Sequence, residues 1–332
     1  MDTPLISVCI PTYRRSAFLA MALETVAAQA TAEIEVVITE DPSDDVDTSR
    51  VVETFRARLP RLTHVVNETR LQFDGNCLRV ISLARGHYCW LLSDDDMIEP
   101  GGVARVIHAI TTHAALTGLT LNRRGYDRAY ARSAYQRPFR QRGDRLFTDL
   151  PTMFLALLDQ LGFLSGTVLN RARLTEALRD PRVAEFVGSG YAQLFLSVLM
   201  MERHPAWLYV ADPCVGWRRD NDSFAERGSL GRLRMDVEGY DRIASAFFPR
   251  ESPTFREAAG EVVSRHVRHH IVHAKLDGAT SGFTRQALAL CLRYYARLPA
   301  FWFRTFPILL LPRPVLRALR AVYQRARRMA GR

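Results

Sequence analysis

The chain has 332 residues, 48% hydrophobic and 24% charged, enough to bury one large core or two smaller ones and too apolar for wholesale disorder. Its net charge of +10 lies at one end: residues 278–332 hold 11 arginines and no acid, which leaves 34 basic against 35 acidic residues, a net of −1, in residues 1–277. A near-neutral body excludes a nucleic-acid-binding surface spread over the fold and points to a C-terminal segment that meets something anionic.

Leu5–Pro11 is a β-branched run closed by Pro11, a first strand. Ser16 is placed to cap a helix whose apolar residues Leu19, Leu23, Val26 and Ala30 recur at helical spacing. Ile34–Thr39 reads as a second strand, and an acidic turn from Glu40 to Asp45 follows it. Next come a helix over Val51–Leu59, a third strand over Leu62–Val66, and a helix around Cys77–Ala84 that stops at Gly86. His87–Leu92 is a fourth strand that runs directly into Ser93-Asp94-Asp95-Asp96. Pro100 then opens a helix with Val103, Val106, Ile107 and Ile110 on one face. Strand and helix alternating in this way predict an α/β fold with a mostly parallel sheet flanked by helices. Further on, the pattern predicts a basic, loop-rich stretch (Arg123–Arg145), a helix over Met153–Leu161, a strand over Leu164–Leu169 and a helix over Ala192–Met201. The last third reads helical. These signals divide the chain into residues 1–116, 117–230 and 231–332.

Cys9, Cys77, Cys89, Cys214 and Cys291 are odd in number and dispersed, without a CxxC pair, which suits neither a disulfide framework nor a zinc site. No charged-then-apolar leader is visible, and no apolar run reaches the roughly 20 residues of a spanning helix. The expectation is a cytoplasmic protein, peripheral on the inner face of the plasma membrane.

The strongest chemical signal is a strand that ends in Asp94, Asp95 and Asp96. In open parallel sheets ligands bind beyond the carboxyl ends of the strands. Three adjacent carboxylates repel one another unless a cation neutralises them, and Mn²⁺ or Mg²⁺ takes such oxygens and shares them with a substrate diphosphate. The plainer alternative is a solvated acidic turn that caps the next helix. Two neighbouring strand ends favour the ligand site. One offers Pro11, Thr12, Tyr13 and Arg14, a hydroxyl, an aromatic face and a guanidinium; the other offers Glu40 and Asp41.

ISVCIPTYRR, IEVVITEDPSDD and FDGNCLRVISLARGHYCWLLSDDD resemble the nucleotide-sugar-binding half of family-2 glycosyltransferases with the GT-A fold, and Asn76 ahead of the aspartates is similar to abequosyltransferase-like members that decorate O-antigen. The resemblance implies transfer of a sugar, such as a deoxyhexose, from a CDP-, UDP- or dTDP-linked donor to a glycan acceptor carried on a polyprenyl diphosphate. It implies that Pro11, Thr12 and Tyr13 line the base and ribose, that Glu40 contacts the base, that Asp94 touches the ribose, and that Asp95, with Asp96 beside it, holds the metal. The segment that matches the family's acceptor-side carboxylate reads Gly188-Ser189-Gly190-Tyr191, so the general base is sought in Glu185, Asp220 or Asp222. Arg218-Arg219 reads as a grip on phosphate or acceptor.

Alternatives of other kinds are a family-2 transferase that uses a common UDP-hexose on another acceptor, a nucleotidyltransferase, which would want a glycine-rich loop that Pro11–Arg14 lacks, and a non-catalytic membrane or nucleic-acid binder working through its arginines. His266, His269, His270 and His273 share a helical face that no carboxylate or cysteine joins closely, and read as a surface rather than a metal site. In the tail, Phe301, Trp302, Phe303 and Phe306 precede an apolar stripe of Val315, Leu316, Leu319, Val322 and Tyr323, with Arg313, Arg317, Arg320, Arg327 and Arg328 largely off it. A basic amphipathic helix with aromatic anchors suits an anionic membrane interface. A helix packed on the body is the competing reading.

Overall fold

The computed structural model describes residues 3–113, 115–127, 130, 143–219, 221 and 223–330, without the side chains of 324 and 326–330. The chain forms two compact units, Met1–Asn221 and Asp222–Arg332.

The first unit is built on one mixed sheet. Its strands are β1 (Ile6–Thr12), β2 (Ile34–Glu40), β3 (Leu62–Val66), β4 (Tyr88–Leu91), β5 (Met97–Ile98), β6 (Gly118–Tyr126), β7 (Arg145–Phe147), β8 (Thr167–Asn170) and β9 (Trp207–Arg218). They lie in the order β3-β2-β1-β4-β8-β6-β9-β5, with β7 on β9. The four expected strands β3, β2, β1 and β4 pair in parallel, whereas β8 runs antiparallel to both β4 and β6. Around the sheet lie α1 (Ser16–Ala27), α2 (Thr48–Phe55), α3 (Gln72–Leu83), α4 (Gly102–Thr112), α5 (Leu150–Leu161), α6 (Arg171–Ala177), α7 (Arg182–Phe186) and α8 (Ala192–Arg203).

The strand period of two sorts the side chains. Ile6, Val8 and Ile10 enter one core with Leu19, Leu23 and Val26 of α1 and Val52 and Phe55 of α2. Cys9 and Cys89 face the other way and are also buried, as expected of parallel strands covered on both faces. Gly86 is fixed by close approach: a Cβ there would lie 2.7 Å from the Ser7 nitrogen.

Three expectations are corrected. Ser16 is the first residue of α1 and not its cap; its N–H is taken by the Asp45 carboxylate at 3.0 Å, so the acidic turn after β2 caps a helix that precedes it in sequence. The strand placed at Leu164–Leu169 begins at Thr167, because Leu164–Gly166 form a tight turn that aims Ser165 at the aspartates. Arg123–Tyr126, expected as loop, are the end of β6, and β9 went unread because Asp212 and Pro213 interrupt its alternation.

The second unit is helical: α9 (Gly228–Phe247), α10 (Pro253–Val262), α11 (Arg268–Leu276), α12 (Ser281–Tyr295), α13 (Phe306–Leu310) and α14 (Arg313–Ala330). The single lysine, Lys275, donates to the carbonyls of Ile308 and Leu309 at 3.0 and 2.6 Å, and Arg313 donates to the Leu276 carbonyl. Phe301, Thr305, Leu309 and Leu316 are buried in this unit. Beyond Leu316 the stripe of α14 stays uncovered: Leu319, Val322 and Tyr323 are exposed, the last two to 64%. No helix among the described residues is long and apolar enough to cross a membrane.

Candidate active site

Ser93–Asp96 follow β4, where its neighbours β1 and β8 bring their own residues to the same edge. The end of β1 supplies Thr12, whose hydroxyl donates to Asp94 Oδ2 at 2.8 Å. Arg14 has a positive φ of 55°, and the reversal sends its side chain out to Asp44 at 2.9 Å while Arg15 turns back to the aspartates. Arg15 Nη1 lies 3.4 Å from Asp94 Oδ1 and 3.1 Å from Asp95 Oδ2. Asp95 also accepts from Ser93 Oγ and Asn221 Nδ2, both at 2.5 Å. Asp96 accepts from Ser165 Oγ at 2.6 Å and from the Arg218 backbone N–H at 3.1 Å.

All three aspartates are buried. Burial pushes the Asp94 carboxyl up to about 6, with Arg15 pulling it back and Asp95 pushing it further. Burial and the Asp95 charge push Asp96 up to about 8.

Asp96 is turned toward Ser165 and Arg218, and among the described residues no group of three metal-ligating side chains is gathered in this arrangement. Asp94 and Asp95 do place oxygens against a single positive group, the Arg15 guanidinium. Such a donor set fits a hard cation held by one or two carboxylates, with its other positions left to diphosphate oxygens and water.

Other expected residues serve the walls of the site. Asp41 is buried and accepts from Asn67 Nδ2 and from the backbone N–H groups of Leu71 and Gln72, so it holds the start of α3. Asn76 donates to the carbonyls of Thr12 and Thr39 and ties β1 to β2. Glu40 lies 3.0 Å from His64 Nε2 on the adjacent strand. Pro11 and Tyr13 are half-buried, and Arg70, which sequence reasoning missed, stacks 4.1 Å from the Tyr13 ring centre. Tyr13 and Arg70 thus offer an aromatic face and a cation beside Thr12.

Arg218 is a brace and not an exposed phosphate grip: it is buried between Phe18 and Tyr130 and donates to the Asp95 carbonyl. Arg123 lies 4.1 Å from the Phe163 ring centre and 5.4 Å from that of Trp217, and its charge acts on Asp96. Trp217, 37% exposed, presents an aromatic face there. Glu185 is exposed on α7, within the field of Arg182. Asp220 and Asp222 lie outside the described residues. The carboxylate at the Gly188–Tyr191 turn is one the sequence did not suggest: buried Asp74 of α3 accepts from Gly190 N and Ala192 N at 2.7 and 3.2 Å. The signals for Arg15, Ser165 and Asp74 were faint, since each acts across a long sequence separation.

Residues 7–159 match the family model for glycosyl transferase family 2. The chain is 26% identical over 258 residues to the abequosyltransferase RfbV of Salmonella typhimurium, covering 74% of this chain and 76% of that protein. Its fold is similar to that of TarS of S. aureus solved with UDP-GlcNAc, with a TM-score of 0.63 at 16% identity over 95% of this chain and 87% of that one. It is also similar to the mannosyltransferase PcManGT of Pyrobaculum calidifontis solved with GDP-Man and Mn²⁺, with a TM-score of 0.52 at 15% identity over 98% and 88%. The fold is GT-A with a helical C-terminal region.

Proposed function

We propose, from the match of residues 7–159 to the family-2 glycosyl transferase model, that the chain moves a sugar, such as a deoxyhexose, from a nucleoside-diphosphate donor to a lipid-linked glycan in bacterial surface polysaccharide synthesis. The observation that carries the reading is the buried Asp94–Asp96 cluster at the edge where β1 and β2 end, two of its carboxyls pushed up by burial. Thr12, Tyr13, Glu40 and Arg70 form the side that receives base and ribose. Asp95, with Asp94 beside it, would hold Mn²⁺ or Mg²⁺, which when bound offsets the charge that develops on the departing diphosphate. Asp41 and Asn76 keep those strand ends in place. Burial excludes water from the carboxylates, so their interactions with a charged donor are strong.

A thermal-shift screen of CDP, UDP, GDP and dTDP, each with and without Mn²⁺, tests this reading, because a ligand of the folded state raises its stability. One nucleotide should stabilise the protein, and more so with Mn²⁺. No response to any of the four would overturn it.

The tail supports a site of action on an anionic membrane. Phe303 is 81% exposed, and Leu319, Val322 and Tyr323 form an uncovered stripe among arginines. Arginines near an anionic surface contribute about 1 kcal/mol each. A cut at residue 299 would remove buried Phe301 and Leu309, so truncation after Arg317 is the cleaner test. It should abolish binding to phosphatidylglycerol vesicles while nucleotide binding persists; equal vesicle binding would refute the membrane assignment.

A further inference from the structure

We propose that Arg15 is the resident counter-ion of the aspartate site and becomes a ligand of the donor diphosphate, so that a divalent cation and the diphosphate bind in mutual dependence. The proposal deepens the glycosyltransferase reading and rests on it.

Arg15 Nη1 touches Asp94 Oδ1 and Asp95 Oδ2 together, at 3.4 and 3.1 Å. Its side chain is 19% exposed and those of the aspartates 7% and 8%, so water has little room to replace it. A cation bound to the same oxygens needs their lone pairs and repels the guanidinium at close range. One of the two must give way.

Arg218, another arginine at the cluster, is committed: it is buried, stacked 4.6 Å from Phe18 and 4.3 Å from Tyr130, and donates to the Asp95 carbonyl. Arg15 is the group placed to move. It sits between the reversed residue Arg14 and the start of α1, and the partners described for it are the two carboxylates. A displaced guanidinium seeks another anion, and a planar fork suits phosphate oxygens. The donor diphosphate supplies them at the place where its other oxygens complete the shell of the cation. Without a diphosphate, the guanidinium returns and competes with the metal. By linkage, each ligand then raises the affinity of the other.

The test reads binding and not turnover. Free Mn²⁺ is followed by electron paramagnetic resonance at pH 8, without nucleotide, for the wild type, Arg15→Gln and Arg15→Lys. Arg15→Gln should bind Mn²⁺ roughly tenfold tighter than wild type, within the range usual for coupled sites. With Mn²⁺ saturating, its affinity for whichever of CDP, UDP, GDP or dTDP stabilises the wild type should fall by a similar factor. Arg15→Lys, which keeps the charge but loses the fork, should retain weak metal binding and serves as the folded comparison if Arg15→Gln is unstable. Mn²⁺ affinity in Arg15→Gln equal to or weaker than wild type overturns the proposal, as does metal binding in Arg15→Lys as tight as expected of Arg15→Gln. Failure of the wild type to bind any nucleoside diphosphate overturns the glycosyltransferase reading instead.

Discussion

Buried carboxylates occur in both units of this molecule, under opposite conditions. In the helical unit, Asp236 of α9 accepts from His270 Nε2 at 2.6 Å and pairs with the Arg232 guanidinium. Burial alone would raise its pKa, but the His270 hydrogen bond and the charges of Arg232, His270 and His266 outweigh burial and hold the carboxyl well below the usual range. In the sheet unit, Asp94 and Asp96 are as deeply buried, yet the Arg15 guanidinium reaches only Asp94 and Asp95, and Asp96 is held by a hydroxyl and a backbone N–H. Asp236 is satisfied within the fold and serves stability. In the Asp94–Asp96 cluster burial outweighs the neighbouring charges and holds two carboxyls above the usual range, as at sites where titratable groups serve function.

Removing one acid from each set should break this comparison in opposite ways. Asp95→Ala should lower transfer by about 10²–10³-fold, the usual effect of losing one charge-stabilising group, and abolish the Mn²⁺-dependent shift with nucleotide. Its stability should change little, because the charge that raises Asp94 and Asp96 disappears with it. Asp236→Ala leaves His270 and Arg232 without their shared partner and should cost about 3–5 kcal/mol in denaturant unfolding, with nucleotide affinity unchanged. An Asp236→Ala protein of wild-type stability, or an unstable Asp95→Ala protein, would show that the roles are assigned wrongly.

The pH dependence of stability sharpens the same contrast. Asp94 and Asp96 have folded pKa values near 6 and 8, above an unfolded value of about 3.9. The folded state therefore holds their protons more tightly, and this stabilisation is lost as pH rises through about 6 and then about 8. Asp236 acts with the opposite sign: its contribution is present above about 3.9 and is lost as pH falls toward its depressed folded pKa. Metal-free protein should melt at progressively lower temperature from pH 5 to pH 8, and Mn²⁺ should flatten that slope by binding the ionised carboxylates. Asp96→Asn should lessen the decline on the alkaline side, and Asp236→Ala the loss on the acid side. Thermal scans that show no change of slope for Asp96→Asn would remove Asp96 from this account.

Legibility in the sequence followed the range of the interactions. Runs such as Ile6–Thr12 and Ile34–Glu40 announce themselves because the alternation of a strand is local, and the aspartates after β4 are contiguous. The expected strand ends do come together: Thr12 meets Asp94 across 82 residues. What stayed hidden depends on chain reversals that propensity does not encode. Of the adjacent arginines, Arg14 was chosen and Arg15 reaches the aspartates, a difference decided by one positive φ. The carboxylate that joins the histidine face is not a sequence neighbour such as Glu261 or Asp277: Asp236, 34 residues before His270, pairs with it. Asp74 at the Gly190 turn is separated from it by 116 residues.

The smallest effect is expected at Glu185, the base that sequence proximity to Gly188–Tyr191 favoured. A general base must reach the acceptor hydroxyl and typically contributes about 10²–10⁴-fold. Glu185 sits on the exposed face of a five-residue helix, where water competes for it. The carboxylate built into the turn is Asp74, which spends its oxygens on Gly190 N and Ala192 N and so fixes the start of α8. Asp74→Asn swaps one acceptor oxygen for a donor that faces an N–H, and should loosen that turn and raise the acceptor KM more than it lowers kcat. Glu185→Gln should leave kcat within about tenfold of wild type, below the contribution of a general base. The measurement is kcat with saturating donor for both variants, together with the anomeric configuration of the product. A loss of about 10²-fold or more in Glu185→Gln, with KM unchanged, would restore Glu185 as the base and require α7 to approach the acceptor during turnover.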